Sequence, residues 1–275
     1  MKDYLFIVIF FFAFQVSAQN IGQTGDSIIN YTDINGFKQG FWQQKYFNGK
    51  IKYEGYFRND KPYGEFKRYD ERGRLTSVLV HSMQGDTAFA KMFYENGNIA
   101  ATGRYVNKVK DGEWKYFNEK GQLLSLETLK MEQKHGLFQL FYEDGNIYHE
   151  KTYLNGELDG EEKRYYSTGQ INYKANYKLG KRVGDFFVYD IDGKVLTFGK
   201  YVDDKRHGTW RFYEENGTLK AEIVYNYGIP ENKDQIEVVE TEEIKSLEEK
   251  KGAFDDPESF IENPEQYIFM KREKK

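Results

Sequence analysis

A 24-residue unit, written eight times without insertion or deletion, constrains this chain more than any other feature. Its units open at Gly40, Gly64, Ala88, Gly112, Gly136, Gly160, Gly184 and Gly208. The tenth residue of every unit is glycine, from Gly49 to Gly217, and the twelfth is always aliphatic, from Ile51 to Leu219. The eighteenth is aromatic in six units: Phe57, Tyr105, Tyr153, Tyr177, Tyr201 and Tyr225. Self-similarity at so short a period marks a repeat architecture, in which each unit is too small to bury its own apolar face and relies on its neighbours.

Within a unit the local signals describe a hairpin. In the unit from Gly112 to His135 a strand over Glu113–Phe117 meets an Asn-Glu-Lys-Gly turn, and a second strand runs from Gln122 to Leu129. Glycine at the tenth position suits a turn that closes with positive φ, where a Cβ would be strained. Asn96-Gly97, Asp144-Gly145, Asp192-Gly193 and Asn216-Gly217 are strong hairpin signals. A three-residue turn pairs the sixth position with the twelfth, setting Phe117 over Leu123, Phe141 over Ile147, Tyr165 over Ile171, Tyr189 over Val195 and Tyr213 over Leu219. The second turn is expected at the unit boundary, at Lys110-Asp111-Gly112, Lys134-His135-Gly136 and Arg206-His207-Gly208. Alternation carries the face of positions six and twelve on to position eighteen. The third position (Trp42, Phe66, Trp114, Phe138, Phe186, Trp210) then points the other way unless a bulge intervenes, so the pattern leaves it open whether that column is core or a displayed stripe.

The predicted fold is an all-β repeat protein, an elongated single-layer antiparallel sheet of tandem β-hairpins with a short C-terminal α-helical or disordered tail. Sixteen strands at roughly 4.8 Å apiece give about 75 Å of sheet, whose open edges need protection. The domain organisation reads as a signal peptide at residues 1–18, a lead-in with a partial repeat at 19–39, eight repeats at 40–231 and a charged tail at 232–275. Lys2, the apolar run Tyr4–Phe14 and the small residues Val16-Ser17-Ala18 carry the signal-peptide expectation. The chain has no cysteine, which excludes disulfides, thiolate catalysis and a lipid anchor on a cysteine at the cleavage site. The expected location is therefore periplasmic or extracellular, without a lipid anchor. In the tail, Asp234-Gln235-Ile236-Glu237 resembles a capping box, and Asp256-Pro257 and Asn263-Pro264 are helix-start signals, so it reads either as a helical cap over the last hairpin or as a disordered acidic segment.

Composition narrows function. Mean hydropathy is -0.81, yet aromatics reach 17%, mostly Tyr and Phe, which suits a thin sheet whose rings cover apolar area while their hydroxyls stay wet. A net charge of -4 argues against nucleic acid as a partner. Of the four histidines, His135 and His207 share the last column of their units and read as turn residues. His81 and His149 occupy strand columns without a partner of matching spacing. No nucleophile elbow, phosphate loop or zinc-protease motif is present, and a flat repeat sheet offers no cleft for a carboxylate pair. No catalytic residue, metal site or cofactor is expected. The candidate binding residues are the third-column rings Trp42, Trp114 and Trp210 beside a basic fourth column, Lys67, Lys91, Lys115, Lys163 and Arg211. Such a stripe suits an anionic polymer, lipid headgroups or a protein, and the competing reading is a solubilising face.

The unit G-x-W/F-x-x-Y/F-x-x-x-G-x-L/I, as in GEWKYFNEKGQLL from Gly112 and GTWRFYEENGTLK from Gly208, resembles the bacterial variant of the MORN repeat. Lys205-Arg206-His207-Gly208 resembles its boundary turn. The resemblance implies tandem hairpins in a curved sheet acting as a protein-interaction or membrane-apposed scaffold. Many members carry an antitoxin label, with which an export signal conflicts. Ala88, Glu162, His81 and Leu129 depart from the pattern. The expected function is a non-catalytic exported binding scaffold for a protein partner, with a glycan or membrane surface as the other candidate partner. Glycan or cell-wall binding and an antitoxin-like role are the alternatives.

Overall fold

The computed structural model describes residues 28–232. The signal peptide, the first part of the lead-in (residues 19–27) and the tail from residue 233 lie outside the described residues.

Among the described residues nineteen strands form one open antiparallel sheet in which strands follow one another in chain order, except that Ile99–Val106 pairs with both the short strand Val109–Lys110 and Gly112–Phe117. The first four long pairs are Lys38–Lys45 with Ile51–Arg58, Lys61–Tyr69 with Leu75–His81, Thr87–Phe93 with Ile99–Val106, and Gly112–Phe117 with Leu123–Lys130. The next four are Gln133–Phe141 with Ile147–Leu154, Glu157–Tyr165 with Ile171–Lys178, Lys181–Tyr189 with Val195–Val202, and Lys205–Tyr213 with Leu219–Asn226. Two-residue strands, Tyr31–Thr32 and Ile229–Pro230, end the sheet at either side. Edges this short, one of them containing proline, offer little backbone to another chain.

The turn inside each unit is the expected one. In the fourth unit the Asn118 N–H donates to the Gln122 carbonyl at 2.9 Å and Gly121 N–H to the Asn118 carbonyl at 2.9 Å, with Gly121 at φ 83°. Asn118 Oδ1 also accepts from the Lys120 and Gln122 amides, an Asx turn that favours this geometry. The predicted pairs of the sixth and twelfth positions all occur, from Phe117 with Leu123 to Tyr213 with Leu219.

The second turn is not at the unit boundary. It is a two-residue connection four to five residues earlier, at Asn107-Lys108, Met131-Glu132 and Asp203-Asp204 among others, with both residues at positive φ. Mirror-image turns of this kind match the right-handed twist of the flanking strands. The boundary glycines instead sit inside strands as bulge residues. Gly136, at φ 106°, lies where the ladder slips between Glu127–Phe138 and Leu129–Lys134. The third unit shows why glycine is needed: Ala88 replaces it, and the ladder from Ser77–Met92 to His81–Ala88 runs without a slip.

A further bulge follows the twelfth position in all eight hairpins: Leu123 faces Phe117, but Ser125 faces Tyr116, leaving Leu124 as the extra residue. Each extra residue reverses which face the rest of the strand presents. Positions 14, 16 and 18 therefore share a face with positions 3 and 5, not with 6 and 12. That resolves the open question about the third column. It is core: Trp114 and Trp210 are 0% exposed, and Phe66, Phe138 and Phe186 are buried with them. Tyr116, Leu140 and Phe212 from the fifth column, and Leu129, Tyr201 and Tyr225 from the eighteenth, complete this inner face.

Each inner ring rests on the unit before it. An added Cβ would lie 2.3 Å from Phe66 at Gly55, 2.1 Å from Trp114 at Gly103 and 2.2 Å from Trp210 at Gly199, so a strand glycine makes room for the next unit's ring. The rings then meet edge to face, as Tyr105 with Trp114 at 5.0 Å and Tyr201 with Trp210 at 5.0 Å. Truncating one such ring costs roughly 3–5 kcal/mol.

Candidate binding surface

The outer face carries positions 2, 4, 15 and 17, and here the chain is unevenly polar. At the N-terminal end a row runs across neighbouring strands through Phe41, Tyr56 and Tyr63, with ring centroids 5.3 and 5.8 Å apart. Beyond it Val80 faces Glu65 on one side and Phe89 on the other. Tyr56 is 47% exposed, Val80 48% and Phe89 65%. Val78, Val80, Phe89 and Phe93 line a depression of about 720 Å³ rimmed by Glu65, Lys91, Arg104 and Glu113. Most of that rim is already paired: Glu65 with Lys67 at 2.7 Å, Glu113 with Lys115 at 2.9 Å and Arg104 with Asp111 at 2.5 Å. An exposed apolar centre with internally neutralised charges around it has the make-up of a protein-interaction patch.

The predicted ring and lysine stripe is not a single surface. Adjacent residues of a strand point to opposite faces, so the third and fourth columns cannot stand side by side. Trp114 and Trp210 are buried on the inner face and Trp42 is half-buried, its indole N–H donating to the Tyr31 and Gln39 carbonyls. Lys67, Lys91, Lys115, Lys163 and Arg211 do share the outer face, but not as a bare basic ladder. Lys67 pairs with Glu65, Lys115 with Glu113, Lys163 with Glu161 and Arg211 with Glu222.

The cations that do meet rings lie in a column that sequence reading passed over, two residues before each boundary glycine. Lys110 Nζ lies 4.5 Å from the Trp114 ring, Lys134 Nζ 4.4 Å from Phe138 and the Arg206 guanidinium 4.7 Å from Trp210. Lys38 and Arg182 do the same over Trp42 and Tyr201. These cations roof the inner rings and shed water from them, contributing about 0.5–2 kcal/mol each. The signal lies in Lys205-Arg206-His207-Gly208, whose composition reads as a turn but which the structure places in a strand.

Where Glu162 replaces the third-column ring, the inner face turns polar. His149 and Glu162 are buried and bonded, Nε2 to Oε1, at 2.7 Å. Burial alone would raise the Glu162 carboxyl, but hydrogen bonds from His149 and Tyr177 hold it at about 2. Burial pushes the His149 imidazole below its ordinary value despite the carboxylate, and Lys151 and Arg164 add to that push. The pair is thus a neutral imidazole donating to a carboxylate. His149 has a partner after all, thirteen residues on and one strand over. His135 and His207 lie in strands rather than turns, His135 against Asn155 and His207 stacked on Tyr227.

The fold and this surface define a class first: a β-hairpin repeat protein organised for binding along its sheet. Six segments, residues 38–59, 90–107, 110–131, 134–155, 158–179 and 206–227, match the MORN repeat variant, so the chain carries tandem repeats of that family. All six matched segments end at the first residue of a two-residue turn, so the family's unit is the hairpin itself. No curated protein matches the chain. Among solved structures it is similar to a chain of the Photorhabdus luminescens Tc holotoxin pore at 12% identity, covering 66% of this chain and 11% of that one, with a TM-score of 0.16. That likeness is too slight to bear on fold or function.

Proposed function

We propose that this protein is a non-catalytic, exported binding scaffold whose outer sheet face engages a protein partner at the cell envelope. The observation that carries the proposal is the exposed set Tyr56, Val80 and Phe89 beside charges that are paired within the sheet. An anionic polymer or lipid headgroup would favour an unpaired basic ladder instead. The glycan alternative loses the platform it rested on, because Trp114 and Trp210 lie within the inner face. A non-catalytic role fits the sealed setting of His149 and Glu162, which no substrate reaches without opening the sheet. Export rests on the residue pattern of Met1–Ala18.

Photo-crosslinking in the native cell tests the proposal. A photoreactive residue at Phe89 or Tyr56 is expected to give one discrete protein adduct, lost with Val80→Asp, while the same residue at Thr209 on the far end of the outer face gives none. Equal adducts at all three positions, or adducts only with lipid or polysaccharide, would contradict it. Fractionation that leaves the protein in the cytoplasm would remove export from the account.

A further inference from the structure

The third column lacks its ring in two units: Glu162 is met by His149, whereas Ala90, opposite Leu79, has no such replacement. Next to that unit Pro62 and Asp86 stand where five other units carry the roofing cation. Beside them, between Phe57 and Tyr105, the inner face opens into a cavity of about 500 Å³. Its floor is Phe57, Phe66, Leu79, Met92 and Tyr105. That volume falls within the range of small-molecule pockets, which are mostly apolar with a few polar groups fixing orientation.

The charged groups around the opening decide what it takes. Arg68 and Lys108 line it, both are exposed, and neither has a carboxylate within ion-pair distance among the described residues. The Arg68 guanidinium sits 5.7 Å from the Phe66 ring, at the edge of the apolar floor. Asp86 is the carboxylate of the rim, and it is committed to its own turn: Ser82 Oγ donates to it at 2.7 Å. His81 also lines the cavity, and burial, followed by the nearby Arg68 charge, pushes its imidazole below the ordinary value, so it stays neutral near pH 7. The rim therefore offers two uncommitted cations against one engaged carboxylate.

We propose that this cavity binds a small amphipathic carboxylate, its apolar body on Phe57, Phe66 and Tyr105 and its charged end on the Arg68 guanidinium, with Lys108 at the other end of the opening adding charge of the same sign. A cationic amphiphile of the same length would meet Arg68 and Lys108 as like charges. The site lies on the face opposite the proposed partner surface, so variants of the two can be tested separately.

Titration calorimetry on the full chain, with dodecanoate and dodecyltrimethylammonium below their micelle concentrations, tests this. Dodecanoate is expected to bind at one site and the ammonium at least tenfold more weakly. Arg68→Gln should weaken dodecanoate on the order of tenfold, the effect of losing one charge-assisted hydrogen bond. Ala88→Phe, which places a ring on a residue of the cavity wall, should abolish binding with the circular dichroism spectrum unchanged. Should Ala88→Phe disturb folding, the exposed Arg68→Gln still decides. No dodecanoate binding, equal binding of both amphiphiles, or indifference to Arg68→Gln would overturn the proposal.

Discussion

Replacing Gly199 by alanine isolates the contact on which the repeat packing depends. Gly199 has ordinary extended backbone, so alanine there carries no left-handed strain and, by propensity alone, should gain about 0.5–1 kcal/mol. The added Cβ, however, would lie 2.2, 2.3 and 2.6 Å from Cδ2, Cε2 and Cγ of Trp210. That ring has nowhere to go. Phe186 and Tyr201 stand 5.2 and 5.0 Å from it, Arg206 covers it at 4.7 Å, and its Nε1–H is bound to the Lys200 carbonyl at 3.1 Å. Overpacking of this kind costs roughly 1–3 kcal/mol, so the net expectation is a loss of about 1–2 kcal/mol. Urea unfolding followed by far-ultraviolet circular dichroism measures it as a lowered midpoint. In a Trp210→Ala background the clash is gone, and the same Gly199→Ala change should become neutral or stabilising. An equal loss in both backgrounds would refute the reasoning, because the cost would then not come from the ring.

Stability should fall on acidification in two windows. His149 and His81 have folded values lowered from 6.5, so below about pH 6.5 the unfolded chain takes up protons that the folded chain refuses, and stability declines. Glu162, lowered from 4.5 to about 2, adds a second decline as the pH falls through that interval. Urea midpoints from pH 8 to 3 report both, and His149→Phe should shrink the first. His149→Ala should cost roughly 3 kcal/mol by stripping a donor from a buried carboxylate, and adding Glu162→Phe, which restores the column's ring, should recover much of it in the same assay. Changing Met131-Glu132, at φ 51° and 69°, to Asn-Gly should stabilise the sheet by roughly 1 kcal/mol, because those residues accept positive φ readily; a lowered thermal midpoint would contradict the turn assignment.

What the residues announced and what they hid have separate physical causes. The first turn was legible because glycine and an Asn or Asp side chain dictate its backbone directly, and the sixth-to-twelfth pairing follows from turn length. The second turn was legible at Asn155-Gly156 and Asp203-Asp204 and hidden at Met131-Glu132, which carries no turn residue; the more conspicuous boundary glycines serve bulges instead. The inner face was illegible for a related reason. One extra residue such as Leu124 reverses the facing of the strand beyond it, and nothing in the side chains marks where it falls. The candidate site fails for a simpler reason: Trp114 and Lys115 are neighbours in one strand and point to opposite faces. Glu162 stood out as a departure from the pattern, yet its partner His149 could be found only once strand neighbours were known.

Cross-strand disulfide formation tests most directly whether a bulge turns the ring columns inward. The chain contains no cysteine, so any introduced pair is the sole pair present. The structure sets Arg211 opposite Glu222, whereas an unbulged ladder from the Tyr213–Leu219 pair would set it opposite Ala221. Directly opposed strand residues fall within disulfide reach, and neighbours on the other face do not. Mass analysis after mild oxidation should show that Arg211→Cys with Glu222→Cys closes and Arg211→Cys with Ala221→Cys stays reduced. The opposite outcome would return Trp210 to the outer face and contradict the architecture described.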